Sequence, residues 1–202
     1  MKPFSEVSGI VLPVDQDNVD TDAIIPQRWL ITVSRSGLGK GLFGGWRYDG
    51  EGRPRPGFVM NLDAFQNASI ILSRSNYGCG SSREHAVWAH LDYGIRVVIA
   101  SSFGPIFYDN ALKNGLLPVV LPPEQVAGLM GQIHESPGAA CLVSLTDNTV
   151  TGPDGRGYPF ALDAGRRDLL LAGADDIAIT LQMRDHIERF QECQRLTSPW
   201  LE

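Results

Sequence analysis

The stretch Asn76-Tyr77-Gly78-Cys79-Gly80-Ser81-Ser82-Arg83-Glu84-His85-Ala86 decides how the rest of this chain is read. Before it, Ala68-Ser69-Ile70-Ile71-Leu72-Ser73 has the length and apolar character of a buried strand. After it, Ala86, Val87, Trp88, Ala89 and Leu91 run up to Tyr93-Gly94, the pattern of a helix closed by a C-terminal glycine. Ser81 and Glu84 stand at capping-box spacing, which predicts a helix beginning at or just after Ser81. Gly78 and Gly80 permit a sharp turn and a close approach of the backbone to whatever binds there. A strand, a glycine turn and a helix start carrying two hydroxyls and a guanidinium make an anion site with a nucleophile or base built in.

The plainer reading is a tight turn in which Ser81 only caps the helix and Arg83 points to solvent. Three features weigh against it. One serine suffices for a cap, and two are present. An exposed arginine in the first helical turn opposes the macrodipole at a cost of about 0.3–1 kcal/mol, so a bound anion accounts for it better. No Gly-Lys-Ser/Thr follows, and Gly78-x-Gly80 lacks the third glycine of a dinucleotide fingerprint. The expected ligand is therefore a small carboxylate rather than a nucleotide phosphate.

The 202 residues, 43% of them hydrophobic, can bury a substantial core as one domain spanning 1–202. A net charge of −6 gives a nucleic-acid partner no electrostatic support. No apolar run reaches the roughly 18 residues of a membrane span. The opening Met1-Lys2-Pro3-Phe4-Ser5-Glu6 has no signal-peptide core, so a cytoplasmic location without a membrane partner is expected. Cys79, Cys141 and Cys193 lie far apart, which argues against a disulfide framework and matches no local iron–sulfur or zinc spacing. No cofactor or metal is expected on this chain itself.

Taken in order, Val7 to Pro13 reads as a first strand, followed by the aspartate-rich segment Asp15 to Asp22. That segment lacks the glycine and final glutamate of a calcium loop, and on its own is a solvated turn of Asx bonds. Residues 34–57 are rich in glycine and arginine, show no period, and read as a long loop; Phe43, Trp46 and Tyr48 argue against its being disordered. Arg35 in that loop is by itself an ordinary exposed arginine. Beyond the central motif, Arg96 to Ala100 and Leu116 to Leu121 read as strands, with helices from Pro105 to Asn114 and from Pro123 to Glu135. Strand–helix–strand within about 30 residues implies parallel strands joined by a right-handed crossover. The last third changes to short antiparallel strands near 141–145, 149–151 and 157–162. A helix follows over 164–172, and 175–194 reads as one helix or as two with a break near Asp185. His85 and His134 have no ligand-spaced partners and read as structural, and His186 with Glu188 reads as a solvated helix face.

The central motif resembles the signature of the swivelling domain of the aconitase superfamily, and Asn18-Val19-Asp20-Thr21-Asp22-Ala23-Ile24-Ile25-Pro26 matches that family's other hallmark. Ser34-Arg35-Ser36-Gly37-Leu38-Gly39 and Trp46-Arg47-Tyr48 are similar to the small-subunit family of bacterial 3-isopropylmalate dehydratases in particular. The resemblance implies an α/β fold: a three-layer β/β/α swivelling domain with a part-parallel sheet, helices and a smaller antiparallel sheet. It also implies isomerisation of a hydroxy diacid by loss and re-addition of water. Ser81 would be the catalytic base. Ser82, Arg83 and Arg35 would bind substrate carboxylates, and Asp22 would orient a neighbouring cation. The partner implied is a large subunit carrying a four-iron, four-sulfur cluster, with the active site between the chains.

Three alternatives stand beside that expectation. One is a related hydro-lyase subunit acting on another hydroxy diacid, of homoaconitase or methyl-branched malate dehydratase type. Another is a non-catalytic carboxylate-binding regulator. The last is a cysteine hydrolase using Cys79. Ionising a serine also demands many pK units, at about 1.36 kcal/mol each, of which a helix N-terminus supplies at most about 2 kcal/mol.

Overall fold

The first strand, β1 (Glu6–Val14), is shared between two different partners, and the architecture follows from that division. Its first half, Glu6 to Ile10, pairs antiparallel with β5 (Ala140–Ser144), while Val11 to Val14 pair in parallel with β2 (Ile70–Ser73). The computed structural model describes residues 1–30 and 34–201. Beyond β2 the parallel order continues through β3 (Val97–Ala100) to β4 (Leu117–Val120). Beyond β5 the antiparallel order continues through β6 (Thr149–Thr151) to β7 (Gly157–Pro159). The antiparallel strands expected as a smaller sheet are thus continuous with the parallel ones, giving one order, β4-β3-β2-β1-β5-β6-β7.

Every residue of β2 and β3 is buried, as in parallel strands covered on both faces. α1 (Thr21–Ile24) and α2 (Gly44–Arg47) are single turns. α3 (His85–Tyr93) and α4 (Pro105–Asn114) pack on each other, and α5 (Pro123–Glu135) lies against β1, β2 and β3 through Val126, Leu129, Met130 and Ile133. The sequence signals hold at most ends: Gly94 and Gly115 close α3 and α4 in left-handed conformation, and Pro105 and Pro123 open α4 and α5. α6 (Ala164–Ala172), α7 (Asp176–Gln182) and α8 (Arg184–Thr197) follow, with the break between the last two at Met183. Among the described residues no helix is long and apolar enough to cross a membrane.

One expectation needs correction. The helix after the glycine turn starts at His85, not at Ser81, and its cap position, Glu84, makes no side-chain cap bond. The capping box fails because both of its side chains have better partners elsewhere: Ser81 meets Thr21, and the Glu84 carboxylate accepts from Asn114 Nδ2 at 2.7 Å. The segment 34–57 sends part of its length into the core. Leu38, Leu42 and Phe43 are buried in the core, and Phe43 stacks on Trp46 with ring centroids 5.6 Å apart. Its apolar residues escape any period because a 3-10 turn at Leu38–Gly41 and the single turn α2 present them one at a time.

His90, on α3, is fully buried between Tyr77 and its own helix. The Ala86 carbonyl can only accept, so Nδ1 carries the proton and donates to it at 2.6 Å, leaving Nε2 to accept from the Tyr77 hydroxyl at 2.7 Å. Burial pushes the imidazole down to about 4. The unfolded chain therefore takes up a proton at His90 between the usual 6.5 and about 4 that the folded chain refuses, and stability falls as pH falls through that window. Denaturant unfolding at several pH values should show this as a slope of up to about 1.36 kcal/mol per pH unit. In His90→Gln that contribution disappears; an unchanged pH slope in the variant would show that His90 does not titrate on unfolding.

Candidate active site at the carboxyl ends of the parallel strands

The carboxyl ends of β1, β2 and β3 feed three loops that keep pairing after the strands end. Asn18 N–H donates to Ser75 O at 2.9 Å, Gly78 N–H to Val19 O at 2.7 Å, and Thr21 N–H to Cys79 O at 2.9 Å. On the other side Tyr77 N–H donates to Ser102 O at 3.0 Å, and Gly104 N–H to Tyr77 O at 2.8 Å. The glycine turn is thereby threaded between the aspartate segment and the loop before α4. Gly78 sits at φ +73°, where a Cβ would come within 2.2 Å of Phe107 Cγ, so the position excludes any side chain. Gly80, at φ +97°, turns the chain towards Ser81 and leaves the space beside Thr21 open.

This threading brings the two sequence motifs together. The hydroxyls of Thr21 and Ser81 are 2.7 Å apart. The Arg83 guanidinium forms an ion pair with Asp22, Nη1 to Oδ1. Asp20 caps α1 by accepting from Ala23 N–H at 2.7 Å, which fixes Thr21 and Asp22 on the first turn. Arg83 is 28% exposed and Asp22 61%, so the pair lies at the rim of the site. Ser82 is exposed beside them. A pocket of about 170 Å³ is lined by Asn76, Gly78, Cys79, Gly80, Ser81 and the start of α4. Ser81 gives it a hydroxyl that can accept a proton, and Arg83, a cation that can hold a carboxylate, follows two residues along the chain.

Of the residues expected at the site, Ser81, Arg83 and Asp22 come together with Ser82 adjacent, and Arg35 does not join them. The Arg35 guanidinium lies over the Trp88 ring, 5.0 Å from its centroid. It faces a separate cavity of about 480 Å³ along the flank of α3, with Glu84, Leu91 and Arg96. Thr21, buried to 1% exposure, was legible only as part of a turn. Its position immediately after a capping aspartate was the signal that it begins a helix facing the glycine turn.

The three cysteines are free and scattered: Cys79 half-buried beside Ser81, Cys141 buried, and Cys193 exposed. Burial pushes the Cys141 thiol up to about 11. Among the described residues no three His, Cys, Asp or Glu side chains gather closely enough to hold a metal ion. Among the described residues the donor set does not fit an iron–sulfur cluster. His85, the nearest histidine in sequence to Cys79, packs its ring on Trp88 at 4.7 Å between centroids.

Residues 1–124 of this α/β chain match the family model of the aconitase C-terminal domain. Residues 176–202 match the C-terminal domain of the 3-isopropylmalate dehydratase small subunit. The 3-isopropylmalate dehydratase small subunit 1 of Bordetella pertussis is 59% identical over 201 residues, with all of both chains covered. The small subunit of Paramagnetospirillum magneticum is 47% identical with the same coverage. The crystal structure of 3-isopropylmalate dehydratase from Methanocaldococcus jannaschii superposes with a TM-score of 0.67 at 27% identity, over 92% of this chain and 99% of that one. The chain belongs to the 3-isopropylmalate dehydratase small-subunit family.

Gly78→Ala tests the threading. A left-handed backbone and a Cβ inside the Phe107 ring together should cost about 2–4 kcal/mol, read as a lower denaturation midpoint. Wild-type stability in that variant would mean the turn is not held as described.

Proposed function

We propose that this chain is the small subunit of a 3-isopropylmalate dehydratase, interconverting 2-isopropylmalate and 3-isopropylmalate by dehydration and rehydration in leucine biosynthesis. The observation that carries the reading is the joining of the two motifs, Thr21 to Ser81 and Asp22 to Arg83, with Ser81 lining a small pocket. Removing a proton next to a carboxylate needs a base and something to hold the carboxylate. Ser81 is the base in this reading, and Arg83, oriented by Asp22, holds a carboxylate with Ser82. Arg35 supplies the clamp for the other carboxylate, which requires its guanidinium to leave the Trp88 ring when substrate binds.

The Lewis acid for the departing hydroxyl is assigned to a large-subunit partner bearing a four-iron, four-sulfur cluster, because no ligand set for one gathers among the described residues. The shallow pocket and the exposed Asp22 support an active site completed by a second chain. A cytoplasmic location fits three free cysteines.

Three measurements check the reading. Turnover of 2-isopropylmalate, assayed anaerobically, should be absent for this chain alone and appear on mixing with the cluster-bearing large subunit; full activity alone would sink the two-chain site. In the assembled complex Ser81→Ala should abolish exchange of the substrate's carbon-bound proton with solvent deuterium, whereas Ser82→Ala should weaken binding and keep part of the rate. The reverse pattern would exchange the two serines' roles. Arg35→Lys keeps charge but loses the planar two-pronged donor, at about 1.5–3 kcal/mol in kcat/KM. Wild-type kinetics there would leave Arg35 a loop arginine.

A further inference from the structure

We infer that Thr21 is the positioning residue for Ser81, its hydroxyl donating to Ser81 Oγ and lowering the cost of ionising it. This rests on the reading of Ser81 as base and names what makes a serine usable in that role. The two oxygens are 2.7 Å apart, a good hydroxyl–hydroxyl hydrogen bond, and either could donate. Only one arrangement serves a base. If Ser81 donated to Thr21, its proton would be held in the bond; with Thr21 donating, the Ser81 proton is left on the pocket side.

Once Ser81 has lost that proton to water, Thr21 remains the donor and the bond becomes charge-assisted, so it strengthens with the charge it meets. Thr21 keeps its own proton throughout. The alkoxide then takes the substrate's carbon-bound proton, and the electron pair of that bond stays on the substrate.

The surroundings make Thr21 a fixed donor. It is 1% exposed, so no water competes for its hydroxyl. Its N–H is held by Cys79 O at 2.9 Å, and the preceding Asp20 is tied down as the cap of α1. A β-branched side chain is stiff at χ1, so the oxygen stays aimed. Gly80 packs beside it: a Cβ there would stand 3.8 Å from Thr21 Oγ1, in ordinary contact. The dipole of α3 cannot replace this bond, because the helix begins at His85, past Ser81.

The test uses the complete complex with three variants. Thr21→Val keeps shape and removes the hydroxyl; Thr21→Ser keeps the hydroxyl and removes a methyl. Thr21→Val should lower kcat and the solvent-deuterium exchange rate about 10- to 100-fold, or about 1.4–2.7 kcal/mol at 1.36 kcal/mol per tenfold, with KM little changed. Its pH–rate profile should shift upwards by about one to two units, since each tenfold loss in ionisation is one pH unit. Thr21→Ser should stay within about threefold of wild type, the scale of a methyl rather than a hydrogen bond. Wild-type exchange in Thr21→Val overturns the inference, as do equal losses in both variants with an unmoved pH profile, the mark of a merely structural role. Ser81→Ala separates the two ideas: persistent exchange there removes the base reading itself, whereas lost exchange beside an unaffected Thr21→Val removes only the role of Thr21.

Discussion

The passage of residues 77–79 between two neighbouring loops is the constraint from which the site follows. Gly78 and Thr21 bond across to one side, Tyr77 to the other, and the parallel sheet is in effect extended past its strands by turns rather than by further strand. Loops bonded in this way share one framework, so Ser81, Arg83, Thr21 and Asp22 inherit their separation from backbone bonds and not from their own contacts. The threading works only with no side chain at residue 78, because α4 brings Phe107 into the volume a Cβ would fill. A glycine that looked in sequence like freedom for the turn is, in the structure, chiefly an absence of bulk.

The parallel half was legible because its elements carry their own punctuation. Proline at the starts of α4 and α5, and glycine past the ends of α3 and α4, mark boundaries whose physics is local. Ser81 and Glu84 show where local rules lose: the spacing of a capping box was present, but a tertiary hydroxyl and an asparagine bound those side chains instead. Leu38, Leu42 and Phe43 were hidden for a related reason, since residues buried from irregular turns leave no period to detect. Asp22 and Arg83 could be expected at the site from the resemblance. That they meet each other could not, because 61 positions separate them and only the threading closes that gap.

The position of the helix start changes the energetics of the proposed base. A macrodipole acts within the first turn, and Ser81 lies ahead of His85, where α3 begins. Stabilising an alkoxide there falls to short-range groups: a buried hydroxyl, a guanidinium, and whatever closes the pocket. Such groups are strong only when dry. A pocket of about 170 Å³ is below the usual 300–1,000 Å³ of an enclosing ligand site. In the proposed two-chain site, the drying falls to the partner's facing wall.

The antiparallel half matters to the same chemistry through β1. Phe4 N–H donates to Leu170 O at 2.9 Å and Leu145 N–H to Ser5 O at 2.8 Å, so the start of β1 is bound to α6 and to the end of β5. From α6, the Arg167 guanidinium donates to Leu145 O at 3.1 Å and Thr146 O at 2.8 Å, closing the same corner. The far end of that strand, Val14, leads directly into the aspartate segment and α1. A nine-residue strand anchored by antiparallel partners at its start and by parallel partners at its end links the C-terminal third to the turn at the candidate site. The short C-terminal strands, which carry none of the site residues, thus fix the strand from which Thr21 and Asp22 are delivered.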